Sequence, residues 1–183
     1  GAQDIFYSAS NADFTAFGDQ VRLTKGEDRG STYGFSPSIE LAGENVYVVW
    51  HDTRAGEATD IFMNYSGDGG TTWLEAAGRV ESDAPGAAGS RNPDVVVDGT
   101  TGHVVWQDNR NGGYDIYYRT VVAGSVEEQE EEVRLDAGDG RGEGNSIDPV
   151  LARRGNEMVA AWEDRRAAAS EGLHRGLLGV EQG

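Results

Sequence analysis

Three pairs of oppositely charged residues recur along the sequence and could recognise an anionic ligand. Each pair follows a tryptophan in the pattern Trp-x-Asp-x-Arg, at Trp50, Trp106 and Trp162. A guanidinium binds a carboxylate through two parallel hydrogen bonds, so three such pairs around a ring could hold an acidic sugar. Every copy has the same residues, however, which favours a structural role in which each pair ties a loop to its own or the next unit. The candidate binding residues are Asp52, Arg54, Asp108, Arg110, Asp164 and Arg166.

Metal and cofactor chemistry has little support in the residue types. The chain has no cysteine, and its three histidines are scattered without the spacing of metal ligands. The segment from Asp136 to Asn145 is rich in oxygen ligands and glycine, as a calcium loop is. Arg141 stands where such a loop needs an acidic residue or asparagine, and no glutamate closes it. We therefore predict no metal and no cofactor, and calcium stays open only through this loop.

The charge balance limits the classes of binding partner that we expect. Acidic residues number 32 against 15 basic ones, which gives a formal net charge of -17. Such a surface repels phosphate backbones, so we expect no nucleic-acid binding. No apolar run approaches the ~20 residues that a membrane-spanning helix needs, so we expect no insertion into a membrane.

A repeat of 56 residues supplies the elements that must position these side chains. The three tryptophans are 56 residues apart, and so are Pro37, Pro93 and Pro149. The repeats run over residues 1–36 (the second half of a unit), 37–92, 93–148 and 149–183 (the first half of a unit and a divergent tail). Four short strands per unit, recurring at a fixed interval, predict an all-β fold, a β-propeller of four-stranded antiparallel blades.

In the first whole unit the strands are expected at residues 38–41, 46–50, 60–66 and, for the beginning of the fourth, 71–76. The second strand should be buried on both faces and the fourth outermost. Glutamates 127, 128, 130, 131 and 132 are expected at a solvated tip. After Trp162 the Asp-Ile-aromatic pattern of the other units is due near residue 171, but Glu171 and its neighbours depart from it.

About three blades' worth of repeats is present, whereas propellers have about four to eight blades. Two interpretations stay open. The chain is a fragment of a longer ring, or it is half of a six-bladed ring that a homodimer completes.

One turn carries a motif that names a family. Ser66-Gly67-Asp68-Gly69-Gly70-Thr71-Thr72-Trp73 fits Ser-x-Asp-x-Gly-x-Thr-Trp at every specified position. The motif resembles the Asp box, or BNR repeat, of bacterial sialidases and related propellers. That resemblance implies a sialidase-like propeller in which Ser66, Asp68, Gly70, Thr72 and Trp73 are structural and lie away from the catalytic face. It also implies a bacterial protein that is secreted or attached to the cell surface.

The motif that marks an active sialidase is absent. Such enzymes have Arg-Ile-Pro or Arg-Leu-Pro early in the propeller, and neither occurs here. No catalytic residue can be assigned, because the separation of a carboxylate pair cannot be derived from sequence. The leading hypothesis is a non-catalytic repeat module that binds a glycan or a protein or acts as a scaffold. The alternative is a fragment of an exo-sialidase or another glycoside hydrolase whose catalytic residues lie mostly elsewhere.

Overall fold

The computed structural model describes residues 2–56, 58–123, 125, 131–138 and 140–165, and the backbone of 176–178. Strands are the only regular secondary structure in these residues, and none of them forms a helix that could cross a membrane. The strands are β1 (Phe6–Tyr7), β2 (Val21–Arg22), β3 (Gly34–Ala42), β4 (Asn45–Asp52), β5 (Asp60–Ser66), β6 (Gly78–Arg79), β7 (Ser90–Asp98), β8 (Thr101–Asp108), β9 (Asp115–Val122), β10 (Val133–Arg134), β11 (Ser146–Arg154), β12 (Glu157–Asp164) and β13 (Gly176–Leu178).

Four antiparallel sheets follow one another along the chain. Two are complete, with strand orders β3-β4-β5-β6 and β7-β8-β9-β10. A two-stranded sheet, β1-β2, precedes them, and β11-β12-β13 follows. Among the first strands, β7 contacts both β3 and β11, so the three form the inner edge of the arc. The short strands β6 and β10 lie at the outer edge, as predicted.

The second strand of each complete sheet is the most buried. Every residue of β4 from Val46 to Asp52 is buried, and β8 is buried from Val104 onward. β-branched and aromatic residues such as Val48, Val49 and Trp50 suit a strand that is covered on both faces. The sequence pattern therefore predicted this strand correctly.

Three apolar cores fill the spaces between neighbouring sheets. Trp50 packs with Ile5, directly before β1, Trp106 packs with Val49 of the second sheet, and Trp162 packs with Val105 of the third. Each repeated tryptophan thus lies between two sheets, and all three are buried. The repeat fixes the spacing of the sheets through these side chains.

The fourth strand begins later than predicted. Residues 71–76 form a turn, and β6 consists of Gly78 and Arg79 alone. The reason is local: Asp68 accepts hydrogen bonds from the backbone N–H and the hydroxyl of Thr72, and both bonds are 2.7 Å long. These bonds keep the chain curled after the turn, so pairing with β5 starts only at Gly78.

The first strand begins earlier than predicted, because it contains a bulge. In β3, β7 and β11 the register shifts around the proline, and the residue before each proline has a positive φ. Those residues are Ser36 (φ 48°), Asn92 (φ 49°) and Asp148 (φ 53°). A positive φ is uncommon for a residue other than glycine, and three at one repeat position indicate a feature that the fold maintains.

The third-strand position of the last sheet is taken by β13. It pairs with β12 through Met158↔Leu178 to Ala160↔Gly176. The expected Asp-Ile-aromatic position near residue 171 lies outside the described residues.

Candidate functional site

A pocket opens where the inner edges of three sheets meet. Its volume is about 720 Å³, and its wall includes the bulge residues Ser36, Asn92 and Asp148. It also includes His51 and Gln107, which directly follow the repeated Trp50 and Trp106. The pocket therefore lies at the end of the sheets where each second strand finishes.

The residues that line the pocket differ from one repeat to the next. One repeat position holds Ser36, Asn92 and Asp148, and another holds Phe35, Arg91 and Ile147, all of which line the pocket. The position after the tryptophan holds histidine, glutamine and, in the last repeat, Glu163. A site for one asymmetric ligand needs different groups on different sides, and these positions provide them. Sequence reasoning missed these residues, although a signal was present. They differ from repeat to repeat, whereas the tryptophan and proline positions beside them are the same in every repeat.

Hydrogen bonds between neighbouring sheets fix the wall. Asn92 donates from Nδ2 to Oδ1 of Asp148 over 2.5 Å. Oε1 of Gln107 accepts the backbone N–H of Asp148 over 2.9 Å, and Nδ1 of His51 accepts that of Asn92 over 3.4 Å. The side chains after Trp50 and Trp106 thus hold the bulge of the following sheet. This ordering presents the carboxylate and amide groups to the pocket in a fixed geometry.

His51 is a neutral member of the wall. Its burial, and next the positive charge of Arg91, lower its pKa to about 4, against the opposite effect of Asp52. The ring is therefore uncharged at neutral pH. Because Nδ1 accepts from Asn92, the ring proton sits on Nε2.

Aromatic rings flank the polar groups. The Phe35 ring lies 5.4 Å from the His51 ring, and the Tyr33 ring lies 6.5 Å from the Phe35 ring. Tyr114 lines another part of the pocket. Aromatic walls with a few placed polar groups are typical of small-molecule sites.

Two guanidinium groups and one carboxylate carry the charge. Arg165 pairs with Glu163 over 3.3 Å. Arg91 is exposed in the wall and has no carboxylate partner among the described residues. Asp148 is the one acidic residue of the described wall.

The two predicted binding pairs that the structure describes in full, Asp52/Arg54 and Asp108/Arg110, lie outside the pocket lining, and their charges are paired within the protein. Asp52 is fully buried and accepts from Arg54 Nη2 over 2.7 Å and from Trp50 Nε1 over 3.1 Å. Arg54 also donates to the carbonyl of Lys25, in the connection from the preceding sheet, over 3.2 Å. Neither Asp52 nor Arg54 lines the pocket.

The second pair is arranged similarly. Asp108 is paired with Arg110 and accepts from Ser90 Oγ over 2.9 Å. Arg110 donates to Oε2 of Glu132 over 2.6 Å. In the third pair, Asp164 ends β12, while Arg166 lies outside the described residues. In the described pairs, the arrangement matches the structural interpretation rather than an open binding site.

The prediction of a solvated tip was wrong for Glu132. Its side chain is only 5% exposed, because it pairs with Arg110 and also accepts the backbone N–H of Ser82 in the preceding sheet. These two contacts draw Glu132 into the space between sheets. Glutamates 127, 128 and 130 lie outside the described residues.

The residues of the predicted Asp box form a tight turn at the far end of the sheet from the pocket. Asp68 accepts hydrogen bonds from the backbone N–H of Thr72, from the Thr72 hydroxyl and from Ser66 Oγ, the last over 2.8 Å. These bonds, the Thr72 backbone bond above all, lower the pKa of Asp68 to about 2. Trp73 donates from Nε1 to the carbonyl of Gly70 over 3.0 Å, and Gly70 has a φ of 89°. The turn joins β5 to β6, whereas the pocket lies at the opposite end of β5, beside Thr59.

Among the described residues, one group of acidic side chains is close enough to suggest a metal ion. The ligand atoms of Asp60, Glu81 and Asp83 lie within 4.8 Å of one another. The Arg79 guanidinium already binds all three, with Nε 3.0 Å from Asp60 Oδ2. This cation takes the place that a metal would need. In the segment suggestive of calcium, Asp136 pairs with Arg134 over 2.8 Å instead.

The arrangement of sheets is similar to solved glycoside hydrolases. An α-L-arabinanase from Penicillium chrysogenum, complexed with arabinobiose, matches with a TM-score of 0.57 at 15% identity, over 94% of this chain and 54% of that one. The endo-arabinase from Bacteroides thetaiotaomicron matches with 0.53 at 12% identity, over 97% and 71%. An α-L-arabinofuranosidase from Lactobacillus brevis matches with 0.52 at 11% identity, over 87% and 56%. No protein-family model and no curated protein matches the sequence.

The fold is a β-propeller. The predicted fold class is thereby confirmed, and the propeller is of the kind found in glycoside hydrolases. The chain spans about half the length of the arabinanase and the arabinofuranosidase. The assignment to the Asp-box family stays a prediction, because identities of 11–15% show a common fold alone.

Proposed function

We propose that this part of the propeller binds a glycan in the pocket at its inner edge. The single observation that carries the proposal is the pattern of variation: repeat positions facing the pocket differ, while the frame residues around them recur. Amide and carboxylate groups of Asn92, Gln107 and Asp148 suit sugar hydroxyls, and the Phe35 ring suits an apolar sugar face.

The charges favour a glycan that carries acidic groups. Arg91 lines the pocket and forms no ion pair with a carboxylate among the described residues. A guanidinium that no carboxylate neutralises is available for a ligand carboxylate or sulfate. We keep the sequence-based hypothesis of an anionic ligand, but we propose that Arg91 binds it in place of Arg54 and Arg110.

Binding without hydrolysis is favoured for the described residues. Hydrolysis of a glycosidic bond generally uses two carboxyl groups on opposite sides of the bond. Asp148 is the one acidic residue of the described pocket wall. The second candidate function is glycoside hydrolysis with a further carboxylate supplied from outside the described residues. The likeness to an arabinanase and an endo-arabinase supports this candidate at the level of the fold.

Isothermal titration calorimetry with soluble arabinan, polygalacturonate and dextran tests the proposal. We expect polygalacturonate to bind most tightly, Arg91→Gln to remove that preference, and Asn92→Ala to weaken binding of any glycan. Arg154→Gln, which removes the same charge outside the pocket, is the matched control.

A reducing-sugar assay on the same samples separates the two candidates. Release of reducing ends that Asp148→Asn abolishes would establish hydrolysis. Absence of binding to all three polysaccharides would contradict the proposal for these ligand classes.

A further inference from the structure

At one end of the arc, the first strand β3 carries apolar side chains that no neighbouring sheet covers. Ile39 and Leu41 are 50% and 61% exposed. Their counterparts one repeat later, Val95 and Val97, are 3% and 5% exposed, because they pack against the preceding sheet. The sheet that precedes β3 consists of β1 and β2 alone, at the positions of a third and a fourth strand. Ile39 and Leu41 therefore expose the surface that the next junction buries.

At the other end of the arc, β12 carries the complementary half of such a junction. Its residues Val159 and Ala161 are half-buried. Their counterparts in β4 are Tyr47 and Val49, which are fully buried in the core between the second and third sheets. In that core they meet the first strand of the following sheet. Val159 and Ala161 thus offer an apolar face that fits the first strand of another sheet.

A polar position beside this face has the same relationship to its counterparts. His51 and Gln107 are buried, and each accepts the backbone N–H of the bulge residue in the following sheet. Glu163 holds this position in the last repeat, and its side chain is 62% exposed, since no described sheet follows it. Its carboxylate offers the same kind of acceptor. Ser36 is the bulge residue that no such side chain precedes in the described part of the chain.

We propose that these two ends bind each other in a homodimer of this chain. The strands β11 and β12 of one copy pack beside β3 of the other, and Glu163 accepts the backbone N–H of the partner's Ser36. The apolar faces then meet as they do between the second and third sheets. Each chain carries both faces and about three blades' worth of repeats, so two copies joined at both ends close a six-bladed ring.

The edge of β12 accommodates the first sheet of the partner. β13 pairs with residues 158–160 of β12, and none of the described strands pairs with it at Trp162. In the complete sheets the residue opposite this tryptophan is Phe62 or Tyr117, and each is 5% exposed. The corresponding residue of β1 is Phe6, which is 43% exposed. In the dimer the partner's Phe6 takes the place opposite Trp162.

Size-exclusion chromatography with light scattering, over a dilution series, tests the dimer. We expect twice the mass of one chain. Leu41→Glu places a charge in the apolar contact and should weaken the dimer about tenfold or more. Thr100→Glu adds the same charge in the exposed turn between β7 and β8, away from both ends of the arc, and should leave the mass unchanged. Circular dichroism checks that both variants are folded.

Disulfide trapping tests the polar contact without a charge in the interface, because the chain has no cysteine of its own. Ser36→Cys and Glu163→Cys chains, mixed and oxidised, should form a covalent dimer on a non-reducing gel, since the two side chains are neighbours in the proposed ring. Neither variant should form one alone. Glu157→Cys lies at the other end of β12 and should not be trapped by Ser36→Cys.

The outcomes decide between this surface and any other. The mass of a single chain at every concentration, with no trapped dimer, would overturn the proposal. A dimer that folded Leu41→Glu leaves intact would join through another surface and would overturn it as well. Trapping of Glu157→Cys as readily as of Glu163→Cys would show that the contact is not the one described.

Discussion

Asn92 and Asp148 occupy the same position in successive repeats, 56 residues apart, and are joined by a hydrogen bond of 2.5 Å between Asn92 Nδ2 and Asp148 Oδ1. Ser38 and Asp94 repeat this relationship two residues beyond the bulge positions of their strands, with Ser38 Oγ 2.7 Å from Asp94 Oδ1. Residues at the same repeat position therefore meet at the inner edge of the arc. A substitution there changes a contact between two sheets and the pocket wall at once.

The positive φ of the bulge residues predicts a trade between stability and binding. We expect Ser36→Gly to raise the free energy of unfolding by about 1 kcal/mol, because relief of backbone strain exceeds the extra entropy lost by glycine. Asp148→Gly should retain the fold and abolish glycan binding. Urea denaturation and calorimetry measure the two effects. Val150→Gly, on the strand of Asp148 but at a position without a positive φ, should be destabilising, and a gain there equal to that of Ser36→Gly would contradict the argument.

The repeated tryptophans should dominate stability. Trp106 is fully buried between two sheets, so Trp106→Ala should cost about 3–5 kcal/mol in thermal or urea unfolding. Phe14→Ala, at an exposed position, should stay within about 0.5 kcal/mol. Similar small losses for both variants would mean that the sheets do not depend on this packing.

Arg54 should matter for folding and not for ligand binding. Arg54→Leu leaves the fully buried carboxylate of Asp52 without its cation, at a cost of about 3–5 kcal/mol. Below the lowered melting temperature, glycan affinity should equal that of the unmodified chain. Arg154→Leu removes an exposed pair and provides the control. If the folded Arg54→Leu variant loses glycan affinity, the Asp52/Arg54 pair takes part in ligand binding and this prediction is wrong.

Glu81 should make the fold less stable as pH rises. Burial first, and the neighbouring carboxylates of Asp60, Asp108 and Asp83, raise its pKa from 4.5 to about 9, against a backbone hydrogen bond from Ile61. The folded chain holds this proton more tightly than the unfolded chain. Its contribution is therefore fully present below pH 4.5 and is lost as pH rises toward 9.

Urea midpoints measured across that range check the prediction. Glu81→Gln keeps an acceptor for Ile61 and should flatten the pH dependence. Glu157→Gln, at an exposed position, should leave the dependence as it is. A profile in which Glu81→Gln and the unmodified chain coincide would contradict a buried neutral carboxyl.

The parts of the fold that repeat were predictable, and the parts that vary were not. Trp50, Pro37 and their copies revealed the period, and β4 and β8 follow directly from apolar runs. The onset of β6 was missed because it depends on hydrogen bonds of Asp68 within a turn, which outweigh the strand preference of Thr71 and Thr72. The pocket was missed for a different reason. A search for recurring residues selects Asp52 and Arg54, whereas His51, directly before Asp52, lines the pocket and does not recur.

The three cores between sheets also determine how the molecule should come apart. Each tryptophan joins a sheet to its sequence neighbour, and the described contacts between sheets follow the order of the chain. A force applied to the two ends would load these junctions in series. The chain should then lengthen in discrete steps, each of which releases one 56-residue unit. The number of steps in a force–extension curve would therefore give the number of blades.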